Sequence, residues 1–159
     1  DKHVVKMLLE STQLLWTATH ILNEGAPLPE DAPTTKAGAR GYRSTHKNHP
    51  CAIWVRARRA NYLWLCALAA ALAEEYHYRY PAASGPHACE AHVAWLTANP
   101  PRALPLGAMT APPLAMPEEF KISRDPVKSY RTFYIGSKGA RGLLTYTRRP
   151  QPEWITVAV

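Results

Sequence analysis

A line of polar side chains at helical spacing runs through the first twenty residues. Its members are His3, Lys6, Glu10, Gln13, Thr17 and His20. Steps of three and four residues keep such side chains on one face of a helix. Most other positions of this segment are apolar, and a helix that is apolar nearly all round is normally buried. The pattern predicts one of two arrangements: a polar line bordering a cleft, or the solvent face of the helix.

Glu10 lies at the centre of this line, one helical turn from Lys6 and two from His3. In a cleft, a carboxylate at this position can stabilise a developing cation or move a proton. That interpretation makes Glu10, Lys6 and His3 the candidate catalytic residues. On a solvent face, Lys6 and Glu10 would instead form an ordinary ion pair between positions i and i+4.

A second cluster of polar and basic residues precedes a predicted helix that begins at Pro50. It consists of His46, Lys47, Asn48 and His49, followed in the helix by Arg56, Arg59 and the amide of Asn61. A helix N-terminus offers free N–H groups and a partial positive charge, both of which suit a phosphate. We therefore predict that these residues bind nucleic acid. The alternative is that His46 and Asn48 cap the helix and pack the loop, and that Asn61 finds a partner inside the protein.

Two groups of residues contain the side-chain types that bind zinc. They are His46, His49 and Cys51, and His87, Cys89 and His92. Neither group has the paired spacing of a zinc finger, so we expect no metal and no cofactor. Three cysteines cannot all pair within one chain, which favours reduced thiols and a cytoplasmic protein.

The chain has 159 residues and a formal net charge of +7. This length fits one domain, and the positive excess favours DNA or a nucleotide as partner. No apolar run reaches the ~18 residues of a membrane-spanning helix, so we expect no membrane association. We also expect a monomer. The sequence starts without Met at what reads as a helix N-terminus, which is compatible with a further segment upstream.

The pattern of apolar residues predicts a mainly α fold, a single compact domain of three to four helices with long irregular connections. Helices are expected over residues 1–23, 50–78, 85–98 and 125–135. The connection over residues 25–48 is long and positive. Six prolines exclude regular structure from residues 99–118. A short strand is expected over residues 143–146. Trp154 and Ile155 follow it near the end of the chain.

Several motifs occur in the same order as in a known family. They are Asp1-Lys2-His3 leading to Glu10, then Lys47-Asn48-His49-Pro50, a long helix ending with Glu74, Glu75, Tyr76, Arg79 and Tyr80, then Met116-Pro117-Glu118-Glu119-Phe120, and a final Arg149-Pro150-Gln151-Pro152-Glu153-Trp154. In these motifs the chain resembles the phage pyrimidine-dimer DNA glycosylases of the endonuclease V type. It also resembles a phage-borne group related to them, over residues 1–7 and 46–65.

The resemblance implies an all-α DNA-repair enzyme, a glycosylase with lyase activity. In that chemistry an α-amine attacks the sugar C1′ and a glutamate, matched here by Glu10, stabilises the cationic sugar. The amine of Asp1 would lie roughly 13 Å from Glu10 along the helix axis. The nucleophile is therefore expected upstream of Asp1 or at Lys6, unless the activity has been lost. Leu9 and Gln13 stand where the family tends to place basic residues.

Three functions are compatible with these observations. The first is a DNA N-glycosylase or lyase acting on damaged or modified pyrimidines. The second is an enzyme on the same scaffold that acts on a free nucleotide or a modified base. The third is a non-catalytic DNA-binding protein in which Glu10 has a structural role.

Overall fold

The computed structural model describes residues 1–81 and 85–156, and these residues are mainly helical. The helices are α1 (Lys2–Leu22), α2 (Pro50–Ala57), α3 (Arg59–Arg79), α4 (Glu90–Ala98), α5 (Pro126–Phe133) and α6 (Glu153–Thr156). A 3-10 turn (Glu118–Phe120) precedes α5, and a π-helical turn (Tyr134–Gly139) follows it. The predicted mainly α class is confirmed, and the described residues contain no strand. Within the described residues, every helix is too short or too polar to cross a bilayer.

Helix α1 packs against α2, α3 and α4 and supplies much of the core. Leu15 and Trp16 of α1 are completely buried against Tyr62 and Leu65 of α3 and Leu96 of α4. Burying a leucine side chain completely stabilises a fold by about 1.5–3 kcal/mol. The apolar side chains that make up most of α1 therefore hold this helix against its neighbours.

The predicted helix over residues 50–78 is two helices, and the prediction of one continuous helix is wrong. The backbone of Arg58 is extended, with φ −149° and ψ 143°, and this ends α2 and begins α3. The amide of Arg59 donates to the carbonyl of Pro105, at 2.8 Å, instead of to a carbonyl one turn back. The break is therefore set by a segment distant in sequence, which explains why no local signal announced it.

The connection between α1 and α2 is irregular but closely packed against α1. Gly41 lies in the left-handed region with φ +64°, and a Cβ atom there would come within 2.8 Å of the Trp16 ring. The side chain of Arg40 donates to the carbonyls of Glu30 and Ala32. This connection therefore covers one side of α1.

The C-terminal part begins as the sequence predicted. Asp125 caps α5, because its carboxylate accepts from the amide of Val127 at 2.9 Å, and Pro126 occupies the first turn. The α-helix ends at Phe133, and the chain continues in the π-helical turn. The strand predicted over residues 143–146 is wrong: these residues are irregular, because no neighbouring extended segment forms a ladder with them.

Ion pairs fasten the C-terminal tail to the ends of α1 and α3. The guanidinium of Arg149 makes a bidentate contact with Glu75, in which Nε donates to Oε1 at 3.1 Å and a terminal nitrogen donates to Oε2 at 2.9 Å. Glu75 also pairs with Arg79, which in turn contacts the carboxylate of Asp1 at 3.0 Å. Thr147 donates to the same carboxylate. These contacts bring the C-terminal segment back to the start of α1, where the candidate catalytic residues lie.

Candidate active site

Lys6 and Glu10 form the central ion pair of the polar line. The Nζ of Lys6 lies 3.3 Å from Oε1 of Glu10, and the two side chains are 63% and 42% exposed. The pair has the i,i+4 geometry expected of a helix surface, and solvent and ligands can reach it. It therefore places an amine and a carboxylate side by side at an accessible position.

A groove of about 590 Å³ runs beside this pair. Helix α1 contributes His3, Met7, Ser11 and Leu14 to its wall. These positions follow one another by three or four residues and so form one row on the helix. Lys6 and Glu10 are not among the lining residues, but both act electrostatically on His3, which is one of them. The amine and the carboxylate therefore lie beside the His3 end of the groove, which we call its rim.

Six aromatic side chains contribute to the groove wall. They come from three parts of the chain, with Trp54 in α2, Trp64 in α3, and Tyr130, Phe133, Tyr134 and Trp154 in the C-terminal part. The indole N–H of Trp54 donates to the carbonyl of Thr110 at 3.1 Å, which fixes that ring. Trp54 and Trp64 meet edge to face, with ring centroids 5.6 Å apart. A wall of this kind suits a flat ring, which can stack on it.

Two cationic side chains also line the groove. The guanidinium of Arg131 lies 5.1 Å from the ring centroid of Trp154, and the ammonium of Lys138 lies 5.0 Å from that of Phe133. These cation–π contacts hold the charges against the aromatic wall. The exposed surface of the groove itself is almost entirely apolar.

His3 is the candidate catalytic residue that reaches into the groove. Its Nδ1 is closed to solvent and has no hydrogen-bond partner among the described residues. The ring meets Tyr134 edge to face, with centroids 5.6 Å apart. Burial, and the nearby ammonium groups of Lys138 and Lys6, lower the pKa of His3. The imidazole is therefore neutral at pH 7, with one nitrogen able to donate and the other able to accept.

The far half of the polar line has a structural role. Thr17 is buried, and its hydroxyl both donates to the carbonyl of Thr45 and accepts from the amide of Thr45. His20 Nε2 lies 2.9 Å from the carbonyl of Tyr42. The connection between α1 and α2 thus covers the C-terminal half of the line, and only the half with His3, Lys6 and Glu10 borders the groove.

The basic cluster before α2 is exposed. His46, Lys47, Asn48 and His49 all face solvent, as does Arg59, while Arg56 is half-buried. His49 caps α2, because its Nδ1 accepts from the amide of Cys51 at 3.2 Å. Arg56 donates to the carbonyl of Lys47 at 2.8 Å. The cap of α2 is thus His49, where His46 and Asn48 were the expected capping residues, and the segment presents an accessible cationic surface.

Asn61 lies inside the protein and does not face this surface. It is completely buried, and its amide nitrogen donates to the carbonyl of Trp54 and the hydroxyl of Thr110. Its amide oxygen accepts from the backbone N–H of Thr110. The side chain is fully used in fastening the segment around Thr110 to the junction of α2 and α3, so a nucleic acid cannot reach it in this arrangement.

The two groups with zinc-binding residue types are dispersed. Nδ1 of His87 accepts from the amide of Cys89, and Nδ1 of His92 accepts from the indole N–H of Trp16. Among residues 1–81 and 85–156, no three His, Cys, Asp or Glu side chains are close enough together to hold a metal ion.

Sequence reasoning missed the C-terminal wall of the groove. Tyr130, Tyr134 and Lys138 recur at intervals of four residues, a spacing that places side chains on one helical face. This signal was present in the sequence. What they face depends on how the C-terminal part docks against α1, which no local pattern encodes.

Comparison with protein-family models, with curated proteins and with solved structures gives no match to this chain.

Proposed function

We propose that this protein is a DNA N-glycosylase with lyase activity that acts on damaged or modified pyrimidines. The observation that carries the proposal is the amine of Lys6 held 3.3 Å from the carboxylate of Glu10 at the rim of an aromatic groove. The ordered resemblance of the sequence motifs and the net charge of +7 add support.

Lys6 and Glu10 have complementary roles in this chemistry. Glu10 accepts a proton from the Lys6 ammonium, and the free amine then attacks C1′ of the target sugar. The C1′–N bond breaks, its electron pair leaves with the base, and the attached amine passes one proton to that base. The C1′–O4′ bond then opens, O4′ takes the proton held by Glu10, and a protonated imine joins Nζ to C1′. The restored carboxylate of Glu10 stabilises this cation and takes a proton from C2′, and the electron pair of that C–H bond expels the 3′ phosphate.

The exposed basic cluster supports a DNA partner. Lys47 and Arg56 offer cationic groups near the N-terminus of α2, and Arg59 offers another at the start of α3. A phosphate would be favoured at such positions. A duplex held there would have to expose the target nucleotide before C1′ could reach Lys6, because a stacked base shields the reacting atoms.

Incubation of the full chain with duplexes carrying damaged or modified pyrimidines, with and without borohydride, tests the proposal. We expect base release and, with borohydride, a covalent protein–DNA adduct. Glu10→Gln should reduce base release by about 10²-fold or more, because it removes the proton acceptor. It should change stability by less than about 0.5 kcal/mol, since a helix-surface ion pair contributes little.

Three outcomes would contradict the proposal. They are absence of both base release and adduct across the lesion panel, full activity of Glu10→Gln, and unfolding of Glu10→Gln, which would identify a structural carboxylate. Glu74→Gln, at an exposed position of α3, is the matched control and should leave activity unchanged.

A second candidate function is an enzyme acting on a free nucleotide or modified base. The size of the groove favours it, because sites for small molecules typically measure about 300–1,000 Å³. This candidate predicts a thermal shift with nucleotides and weak affinity for DNA. A steep fall of DNA affinity with salt, without any shift by nucleotides, would count against it.

A further inference from the structure

We infer that residues 121–149, which we call the C-terminal basic segment, form the main surface that binds the phosphate backbone of DNA. This inference rests on the proposed function for its DNA partner. It adds a second and more strongly charged surface to the basic cluster before α2, and it assigns most of the backbone contacts to that surface.

The excess of positive charge is concentrated in this segment. Eight of the 19 lysines and arginines lie in residues 121–149, together with one acidic residue, Asp125. The first 120 residues contain eleven lysines and arginines and ten aspartates and glutamates, so they are nearly neutral. Charges at a protein surface act over about 8 Å at physiological ionic strength. An anionic polymer is therefore attracted to the C-terminal basic segment more strongly than to the rest of the chain.

Most cations of the segment face solvent. Lys121 pairs with Glu118 and Arg149 pairs with Glu75, so the charges of these two are partly neutralised. The other six cations are Arg124, Lys128, Arg131, Lys138, Arg141 and Arg148, of which Lys138 is half-buried and the rest are exposed. Four of them also lie outside the lining of the apolar groove, namely Arg124, Lys128, Arg141 and Arg148. Phosphates can reach these four without entering the groove.

The cations are distributed along an elongated element. Helix α5 and the π-helical turn follow each other directly over residues 126–139, a length of roughly 20 Å at about 1.5 Å per residue. Arg124 precedes this element and Arg141 follows it, while Lys128 and Arg131 lie three residues apart on one face of α5. A DNA duplex carries one negative charge per ~1.7 Å of its axis. Cations spread over such a length match a polymer backbone better than a single phosphate.

The segment also borders the candidate catalytic pair. Lys138, Lys6 and Glu10 all act electrostatically on His3, so they surround one side chain. The hydroxyl of Thr147 donates to the carboxylate of the residue that precedes α1, at 2.8 Å. A duplex bound along the segment therefore passes beside the amine of Lys6, as the glycosylase chemistry requires.

Anisotropy titration of the full chain with a labelled, undamaged duplex at several salt concentrations tests the inference. The test variant replaces three exposed cations of the segment that lie outside the groove: Arg124→Gln, Lys128→Gln and Arg141→Gln. The control variant removes the same charge at three exposed positions of the first 120 residues: Lys36→Gln, Arg43→Gln and Arg102→Gln.

The two variants should differ in the salt dependence of binding. Each phosphate contact contributes about 0.9 to the slope of log affinity against log salt concentration. We expect the test variant to reduce this slope by about two to three and the affinity by about tenfold or more, whereas the control variant keeps both. Equal losses in the two variants would overturn the inference, because net charge alone would then explain binding.

A single substitution guards against a folding defect in the test variant. Lys128→Gln changes one exposed position of α5, and thermal unfolding shows whether it is folded. We expect it to reduce the slope by about one. A folded Lys128→Gln variant and a folded test variant that both keep the slope of the original protein would overturn the inference.

An anionic membrane is another polyanion that a basic segment attracts, and it is distinguished by sedimentation with vesicles of phosphatidylserine and phosphatidylcholine. Binding to these vesicles that the test variant abolishes, in a protein that does not bind the duplex, would overturn the inference.

This inference and the glycosylase proposal fail in distinguishable ways. A borohydride adduct with damaged DNA, together with duplex affinity that the test variant leaves unchanged, would overturn the inference and leave the glycosylase proposal standing. Duplex affinity that only the test variant loses, without base release or adduct from any lesion, would overturn the glycosylase proposal and support the inference.

Discussion

At the scale of single residues, polar groups that look equivalent in the sequence have different environments. Glu10 and Thr17 lie on the same predicted line, but Glu10 is reachable from solvent and Thr17 is buried against Thr45. Asn48 and Asn61 both lay in the predicted interface, and only Asn48 is exposed. The spacing of residues along a helix defines a face, whereas the contacts of that face depend on segments far away in sequence.

Asparagine substitutions test this difference. Asn61→Ala should lower the free energy of unfolding by about 1–3 kcal/mol, because the carbonyl of Trp54 and the amide of Thr110 lose the hydrogen bonds that the buried Asn61 side chain makes with them. Asn48→Ala should change it by less than about 0.5 kcal/mol, as expected of an exposed position. Urea unfolding measures both.

DNA affinity should show the opposite order in the same pair. Asn48→Ala should weaken binding, and Asn61→Ala should leave it unchanged at temperatures where the variant is folded. A folded Asn61→Ala variant with reduced affinity would return Asn61 to the interface.

At the scale of elements, local chemistry predicts where two of the helices begin, and tertiary contacts determine the break between α2 and α3. The helix expected over residues 85–98 begins only at Glu90. Pro50 and the Asp125-Pro126 pair mark helix starts through capping and a missing N–H, and both were read correctly. The break at Arg58 was missed because it depends on the carbonyl of Pro105. The strand over residues 143–146 was predicted wrongly because a strand requires a partner that the sequence did not identify.

In the candidate site, too, helical spacing predicts some features and tertiary contacts determine the others. The row with His3, Lys6 and Glu10 could be read from helical spacing, and its exposure could not. The groove beside it could not be predicted, because its lining combines residues of α1, α2 and α3 with residues of α5 and the π-helical turn.

Glycine substitutions test how the connection between α1 and α2 is held in place. Gly38→Ala should cost about 1 kcal/mol, because alanine is strained at a φ of +80° and meets no other atom. Gly41→Ala has a similar backbone strain, at φ +64°, and its Cβ would also meet Trp16 at 2.8 Å and Leu28 at 2.9 Å. Overpacking adds about 1–3 kcal/mol.

Chemical denaturation of the two alanine variants isolates the packing contribution, since the backbone strain is common to both. Equal losses of stability would contradict the close packing of Gly41 against the Trp16 ring of α1.

At the scale of the whole molecule, the two ends of the chain lie in contact with each other. Arg149, Glu75, Arg79 and Asp1 bind the C-terminal tail to the start of α1. The Arg149 contact, more than any other, keeps the pKa of Glu75 low. The groove is lined by residues of α1 and of the C-terminal part, which these ion pairs hold together.

Stability should fall as the solution becomes mildly acidic. Burial is the main cause of the lowered pKa of His3, His87 and His92. Between these values and the ~6.5 of an unfolded histidine, the unfolded chain binds more protons than the folded one. The free energy of unfolding therefore rises with pH through that window, and these residues contribute no pH dependence above it.

Urea unfolding at several values between pH 5.5 and pH 8, taken in steps of about half a unit around the histidine range, checks this prediction. His3→Phe should reduce the slope because it removes one of the three groups. Stability that stays constant or increases on acidification would contradict the burial of these side chains.

The most direct measurement of the central claim is a peptide mass spectrum of the borohydride-trapped adduct formed by the full chain on damaged DNA. The account predicts that the reduced sugar is attached to Nζ of Lys6, that Lys6→Arg abolishes the adduct, and that Lys2→Arg, at an exposed lysine of the same helix, does not. An adduct on any other amine, or one that persists in Lys6→Arg, would contradict it.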